Sequence, residues 1–365
     1  MTERMCFMDK TSAYQGLFFG ALYTLAVGLK HAPILMIESA KQNAWHSYIL
    51  GVVIVIPALW LMHRLMKKHQ DKNIYELLSD SSPIAGRIII LLFSLYFLLI
   101  NAHDIRFFIN LINILFLPRT PMAVLGGVII FVAICIAREG KETLTRMAQI
   151  FLFPFGILVL FLPFTLATQI ELQNLTPVFE GLIPYLQSGY YAFGTMGELI
   201  ILPLLFSNRS VPLKYTIFAI LLGALLLAVM LFSSISVFGP NLTSTFFDPA
   251  YMVIRQIRIT DFLDRSDLII AAFWIPVIMV KIAGSLYIVV YGLSFLHSKI
   301  DPKAMYTPIG MFSVVCSFWF FLNTNQLIDF NRIKPIINVV ISLLLPLLIY
   351  LIIKSKALFG AKAKH

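Results

Sequence analysis

Between Arg146 and Glu171 the chain carries no charged side chain, and the same is true between Lys214 and Asp248. A helix needs about 20 mainly apolar residues to cross a 30 Å hydrocarbon core, so stretches of this length dictate membrane spans. Runs such as IIILLFSLYFLLI, residues 88–100, show no alternation of apolar and polar residues, which excludes barrel strands and leaves helices. With 59% hydrophobic and 13% charged residues, the chain also has too little polar surface to wrap a soluble globule. The fold class is therefore an all-α membrane protein.

Ten spans follow, at 13–38, 43–63, 85–116, 119–137, 147–168, 183–207, 213–238, 266–297, 304–323 and 335–353. Their connections are short except at 64–84, 169–182 and 239–265, so residues 1–365 read as a single polytopic membrane domain. No small-residue cleavage site precedes the first span, which is expected to be retained. Placing the N-terminus in the cytoplasm puts 18 Lys and Arg residues in inner connections and seven in outer ones, the latter including Arg332 and Lys334. Lys30, Arg106 and Lys281 fall within spans. Both termini are thus expected to be cytoplasmic. The net charge of +10 then reflects a basic inner face against anionic headgroups, so the lipid bilayer is the expected partner of this charge and no nucleic acid is.

The first span contains LAVGLKHAP, residues 25–33, where leucines would be expected. Gly28 tolerates non-helical dihedrals, and Pro33 lacks a backbone donor and disfavours helix in the residue before it. The span is expected to open between Ala26 and Leu29. The sixth span repeats the device in YYAFGTMGELIILP, with Phe193, Gly194, Gly197 and Glu198 mid-span and Pro203 after them. Interruptions at positions one and six of ten imply two five-helix repeats, about 13–168 and 183–353. Five is odd, so the repeats insert with opposite topology, and their broken helices meet at the bilayer midplane to build a small-molecule site. Freed amides bind a carboxylate and freed carbonyls an ammonium, and an α-amino acid offers both. One Gly and Pro pair alone would read as a packing notch; two in corresponding positions favour discontinuous helices.

These features together resemble the spore germination permease family, the B subunits of nutrient germinant receptors, within the amino acid–polyamine–organocation transporter superfamily. The resemblance covers almost the whole chain. It rests on the first span ending GLKHAP, on Arg106 followed by Arg119-Thr120-Pro121, on Glu198 in the sixth span, and on DRSDLIIAAFW, containing Arg265 and Asp267, ahead of KIAGSLYIVVYG. The resemblance implies a five-plus-five inverted repeat, a nutrient ligand, A and C subunits as partners, and a place in the spore inner membrane. The chain departs from the family in having Ala26-Val27 where a second small residue is frequent, and in the polar Lys30-His31, which leaves the ligand's identity open.

Ionisable groups in hydrocarbon need a reason. Lys281 lies mid-span, too deep to snorkel. Either it replaces the sodium ion that related transporters use to tie span eight to span one, or it pairs with Glu198 and locks two helices. Glu198 stands where a half-helix would begin, so it meets a ligand ammonium, relays a proton, or is the static partner of Lys281. Asp104 and Arg106 are two residues apart and on different faces, so Arg106 needs another partner, Asp267 or a ligand carboxylate, or is a structural clamp. By resemblance, Tyr96 and Tyr287 line the central path; on their own chemistry they equally bond neighbouring helices.

Asp248-Pro249 is a helix start, and the segment after it reads as a surface helix, a lid or a docking surface. Residues 68–82 are amphipathic and expected to lie along the inner headgroups. Cys6, Cys135 and Cys316 are too scattered for a disulfide framework or metal set. No phosphate loop, HExxH or nucleophile triad is present, so neither an enzyme nor a bound cofactor is expected. Two functions remain: a receptor subunit that binds a small nutrient and signals, or a proton-coupled amino-acid transporter of the same fold.

Overall fold

The computed structural model describes residues 11–28, 32–81, 84–179, 181–257, 266–296 and 301–362, with backbone alone at 27–28, 266–270 and 355–362. Among the described residues the chain is helical and has no strand. The first span is α1 (Ala13–Gly28) and α2 (Ala32–Ala40). Ser12 and Gln15 form a reciprocal capping box at the start of α1, and Pro33 stands in the first turn of α2, where a missing N–H costs nothing. Leu29, Lys30 and His31, which separate the two, lie outside the described residues.

The second span is α3 (Tyr48–Met66), followed by the short α4 (Ile74–Ser81). Spans three to five are α5 (Ala85–Leu115), α6 (Met122–Arg138) and α7 (Lys141–Thr165). The sixth is α8 (Leu182–Met196), one tight 3₁₀ turn at Gly197–Ile200, and α9 (Ile201–Leu205). Span seven is α10 (Leu213–Thr243), which turns sharply at Gly239, where φ is 73°, before Pro240. After α11 (Pro249–Ile254) come α12 (Ser266–Leu296) and α13 (Pro302–Phe320) as spans eight and nine. The tenth comprises α14 (Thr324–Asn338), a π-helical turn at Val339–Leu344, and α15 (Leu345–Lys362).

Packing reveals the repeat. Span one packs on span seven as span six packs on span two, and span four packs on span eight as span nine packs on span three. Each contact has its counterpart when span n is exchanged for span n+5, as a five-plus-five repeat requires. Spans one, two, six and seven form one group, and spans three, four, eight and nine another. On the outer face of the bundle Phe131, Phe153, Phe164 and Trp319 stand exposed, an apolar surface that hydrocarbon covers.

Three expectations change. The sixth span is discontinuous at the expected place, but by tightening from α to 3₁₀ and not by unwinding: Gly197 keeps right-handed helical angles (φ −59°, ψ −23°) and its N–H bonds the Phe193 carbonyl. Glu198 therefore does not head a fresh half-helix with free amides. The tenth span begins near residue 324, because the polar TNQLIDFNRIK stretch that hydropathy assigns to an outer loop is helical and starts from an Asn323 cap. Lys334 is thus buried in a span. Finally, the apolar face of α4 (Ile74, Tyr75, Leu78) is buried against the bundle instead of against headgroups. An Asn73–Glu76 capping box starts α4, and both residues bond the Tyr291 hydroxyl of α12.

The Asp248-Pro249 start is realised: the Asp248 carboxylate accepts the Tyr251 N–H at 3.0 Å. Arg265, between α11 and α12, lies outside the described residues. Burial pushes the Asp248 carboxyl up to about 7, against two backbone N–H groups that lower it. Since the unfolded carboxyl ionises near 3.9, the folded state binds the extra proton between these values, and stability falls as pH rises through that window. Asp248→Asn keeps the cap and removes the titration. The variant is expected to flatten the fall of unfolding free energy between pH 4 and 7 and to exceed the wild type at pH 8 by on the order of 3 kcal/mol. Denaturant titrations across that range check it.

Candidate functional site

Lys281 lies halfway along α12 and is wholly buried. Its ammonium contacts the Asp104 carboxylate of span three and stands 2.9 Å from Glu198 Oε2 of span six. Glu198 Oε1 in turn contacts the Lys334 ammonium of span ten. The Tyr23 ring of span one lies 5.1 Å from Lys281 Nζ, and the Tyr23 hydroxyl shares a 2.8 Å hydrogen bond with Ser285. Asp104, Lys281, Glu198 and Lys334 thus form a chain of alternating charge whose members are at most 1% exposed. Among the described residues two carboxylates face two ammoniums, with the His103 ring nitrogen 3.4 Å from Asp104 Oδ1, and such opposition of charge is what makes these groups tolerable in hydrocarbon.

The chain joins the two groups of spans. Asp104 and Lys281 belong to the three-four-eight-nine group, Glu198 to the one-two-six-seven group, and Lys334 to span ten. Span ten also grips the 3₁₀ turn directly. Asn338 donates to the Gly194 carbonyl at 2.8 Å and accepts from the Tyr96 hydroxyl at 2.7 Å, and the Ser342 hydroxyl donates to the Gly197 carbonyl at 2.7 Å. Glycine is required here because a Cβ at Gly194 would lie 2.8 Å from Pro335 Cγ. The π-helical turn begins immediately after Asn338, where α-helical register gives way at the contact.

The structure brings together Tyr96, Phe193, Gly194, Gly197, Glu198 and Lys281 from among the residues singled out by sequence. Ala26 is buried near the end of α1, which closes at Gly28, and Pro203 is buried in α9. Pro33 borders a narrow crevice with Tyr48, Ser234 and Pro249 beneath α11. Tyr287 lies apart: it stacks on Tyr291 and Tyr306, with centroids 5.9 and 6.4 Å away. Arg106 donates to the Leu322 carbonyl at 3.0 Å and lies 4.8 Å over the Phe318 ring, so its contacts fasten span three to span nine. The side chain of Asp267 is outside the described residues. Asp104, Lys334, Asn338 and Tyr23 are site residues that sequence reasoning did not assign.

Comparison with known proteins places this arrangement. A family model described as "Spore germination protein", the spore permeases, matches residues 10–326. The chain belongs to the spore germination permease family. It is 99% identical over 358 residues to YfkT of Bacillus subtilis (strain 168), provisionally named a spore germination protein, covering 98% of this chain and all of that one. It is 26% identical to spore germination protein KB of the same organism, over 89% of this chain and 90% of the relative. Among solved structures, a mutant of the manganese transporter of Eremococcus coleocola aligns with a TM-score of 0.64 at 12% identity, covering 95% of this chain and 81% of that one. MhsT in complex with L-phenylalanine aligns at 0.61 and 13%, covering 94% and 88%. At such identities the likeness is one of fold: this spore permease has the architecture of transporters built from two repeats.

Proposed function

We propose that this spore permease is the B subunit of a germinant receptor in the spore inner membrane, with both termini in the cytoplasm. In this reading a small nutrient of the amino-acid class binds where the first and sixth spans meet. The resulting movement passes to the A and C subunits. The observation that carries the reading is the Glu198–Lys281 ion pair, which crosses between the two groups of spans at 2.9 Å and is fully buried. Such a bond holds one arrangement of the groups, and a ligand that engages Glu198 competes with Lys281 and stabilises another. Differential affinity for two arrangements is all that signalling requires. The fold shared with MhsT, solved with an amino acid bound, supports the ligand class.

The test is Gly194→Leu in spores. Its side chain would enter the space of Pro335 and displace span ten from the turn. The expected result is loss of the germination response to one nutrient, by at least tenfold in rate, with normal accumulation of the protein in the membrane. An unchanged response to every nutrient would remove the site. Robust uptake of a labelled amino acid by the chain alone in proteoliposomes would replace the receptor reading with the transporter one.

A further inference from the structure

We propose that Arg106 and the start of α14 form a binding site for the phosphate of an anionic phospholipid. Arg106 is 6% exposed, and among the described residues no carboxylate pairs with it. Of its five N–H donors, one meets the Leu322 carbonyl at 3.0 Å and one the Met122 sulfur at 3.6 Å, a weak acceptor, while the Nε–H is buried without an acceptor. One turn along α5, the buried Asn110 amide reaches the Thr324 hydroxyl at 3.5 Å. Leu322 and Thr324 flank Asn323, the cap of α14, so both side chains stand at the N-terminus of a 15-residue helix. Asn323 satisfies the Gln326 N–H, and the amides of Thr324 and Asn325 before it have no acceptor within the helix. A buried guanidinium and the positive end of a helix thus converge, with no negative charge between them among the described residues. Each opposes the other unless an anion joins them. An oxyanion fits both, as a two-pronged partner for the guanidinium and an acceptor for the helix amides.

The position of the site decides which oxyanion. Met122 opens α6, Leu322 follows the end of α13 and Thr324 opens α14, so three helix ends meet at Arg106 and α5 alone of these helices continues past it. Helix ends mark the boundary of the hydrocarbon, where headgroup phosphates lie, and Trp319 and Leu322, 70% and 67% exposed, form the rim of that boundary. Below the site α6 and α13 run in contact, since a Cβ at Gly126 would lie 3.3 Å from Val314, and the exposed Val124, Val128, Phe312 and Val315 offer an apolar face to acyl chains. Met122 is exposed and unbranched, and its sulfur makes the weakest of the guanidinium's contacts, so a phosphate oxygen replaces it by rotation of one adaptable side chain. Phosphatidylglycerol has the fitting headgroup. It carries a full negative charge, and its glycerol hydroxyls are donors for Asn110 Oδ1, which is buried with no donor. The ammonium of phosphatidylethanolamine would instead stand beside the guanidinium and be repelled. The site is separate from the turn of the sixth span, and its test does not depend on nutrient binding.

The experiment uses the purified full chain in a neutral maltoside detergent and reads thermal stabilisation by added short-chain lipids. The probes are phosphatidylglycerol, phosphatidylethanolamine and diacylglycerol with the same acyl chains, and inorganic phosphate. The wild type is expected to bind phosphatidylglycerol about tenfold more tightly than each of the other three. Arg106→Gln is expected to bring phosphatidylglycerol down to the level of diacylglycerol. Because it also removes a buried cation, this variant is expected to be at least as stable as the wild type before lipid is added, which keeps the comparison readable. Arg106→Lys keeps the charge without the fork and is expected to retain part of the preference. Arg119→Gln removes an exposed charge at the same end of the bundle and is the control, expected to change the affinity by less than about twofold. Equal stabilisation of the wild type by phosphatidylglycerol and diacylglycerol would overturn the phosphate site and leave Arg106 to an acidic side chain of another subunit. Inorganic phosphate bound as tightly as phosphatidylglycerol would overturn the lipid as occupant, and phosphatidylethanolamine bound as tightly would overturn the choice of headgroup. A preference that survives in Arg106→Gln, or is lost equally in Arg119→Gln, would overturn the role of Arg106.

Discussion

Lys281→Met is expected to lower the unfolding free energy by about 3–5 kcal/mol, the usual cost of removing one partner from a buried ion pair. Met matches the stem of lysine in length and adds no polar atom, so the loss isolates the charge. Without the ammonium, the buried Asp104 and Glu198 carboxylates each lose a cationic contact, with no water to replace it. The Tyr23 face loses its cation as well. Asp104→Asn placed on the Lys281→Met background removes a carboxylate that has lost its ammonium and is expected to restore at least half of the loss, because a neutral amide costs less in the interior than a carboxylate deprived of its cation. Dodecyl sulfate titration in mixed micelles of the wild type, both single variants and the double variant gives the coupling. Additive losses would mean that Lys281 and Asp104 are neighbours without being an energetic pair.

The same cluster shows how far a single chain can be read. The spans, the repeat and the placing of Glu198 and Lys281 as interior charges follow from hydropathy and from the cost of charge in hydrocarbon. Asp104 is visible as an intramembrane carboxylate, but helical spacing only tests partners on one helix, and its partner is on another. Depth finds it: Asp104 lies 11 residues from the C-terminal end of α5 and Lys281 15 residues from the N-terminal end of α12, a difference of roughly 6 Å at 1.5 Å per residue between two helices that run in opposite directions. That is within the reach of a lysine stem. Lys334 is hidden by its neighbours, since the Asn, Gln, Asp and Arg residues before it make the start of span ten read as an outer loop. A hydropathy window cannot separate a polar helix that lines the protein interior from a solvated connection. The helical form of the sixth-span interruption is likewise absent from the sequence, because Gly permits a tight turn and an open one equally.

Gly197→Ala is expected to lower stability by about 2–3 kcal/mol and to abolish the nutrient response. A Cβ at this position would lie 2.5 Å from Asn338 Nδ2, 2.8 Å from its Cγ and 2.9 Å from its Cβ. Asn338 is fully buried and held on both sides, by the Tyr96 hydroxyl and the Gly194 carbonyl, so it cannot yield without leaving polar groups unpaired where no water replaces the bond. Where a span leaves room for a Cβ the same substitution is favourable, since alanine restricts the unfolded chain and has the better helix propensity. Gly127→Ala in α6 is the control: nothing lies within 4 Å of its Cβ, and a gain of about 0.5–1 kcal/mol is expected. Adding Asn338→Ala to Gly197→Ala relieves the clash but leaves the Gly194 carbonyl and Tyr96 hydroxyl without Asn338, so the double variant should fold better than Gly197→Ala while still failing to respond. A response that returned with the relieved clash would show that span ten only fills space beside the turn. A response that stayed lost would mean that the hydrogen bonds through Asn338 carry the movement of the sixth span to the tenth.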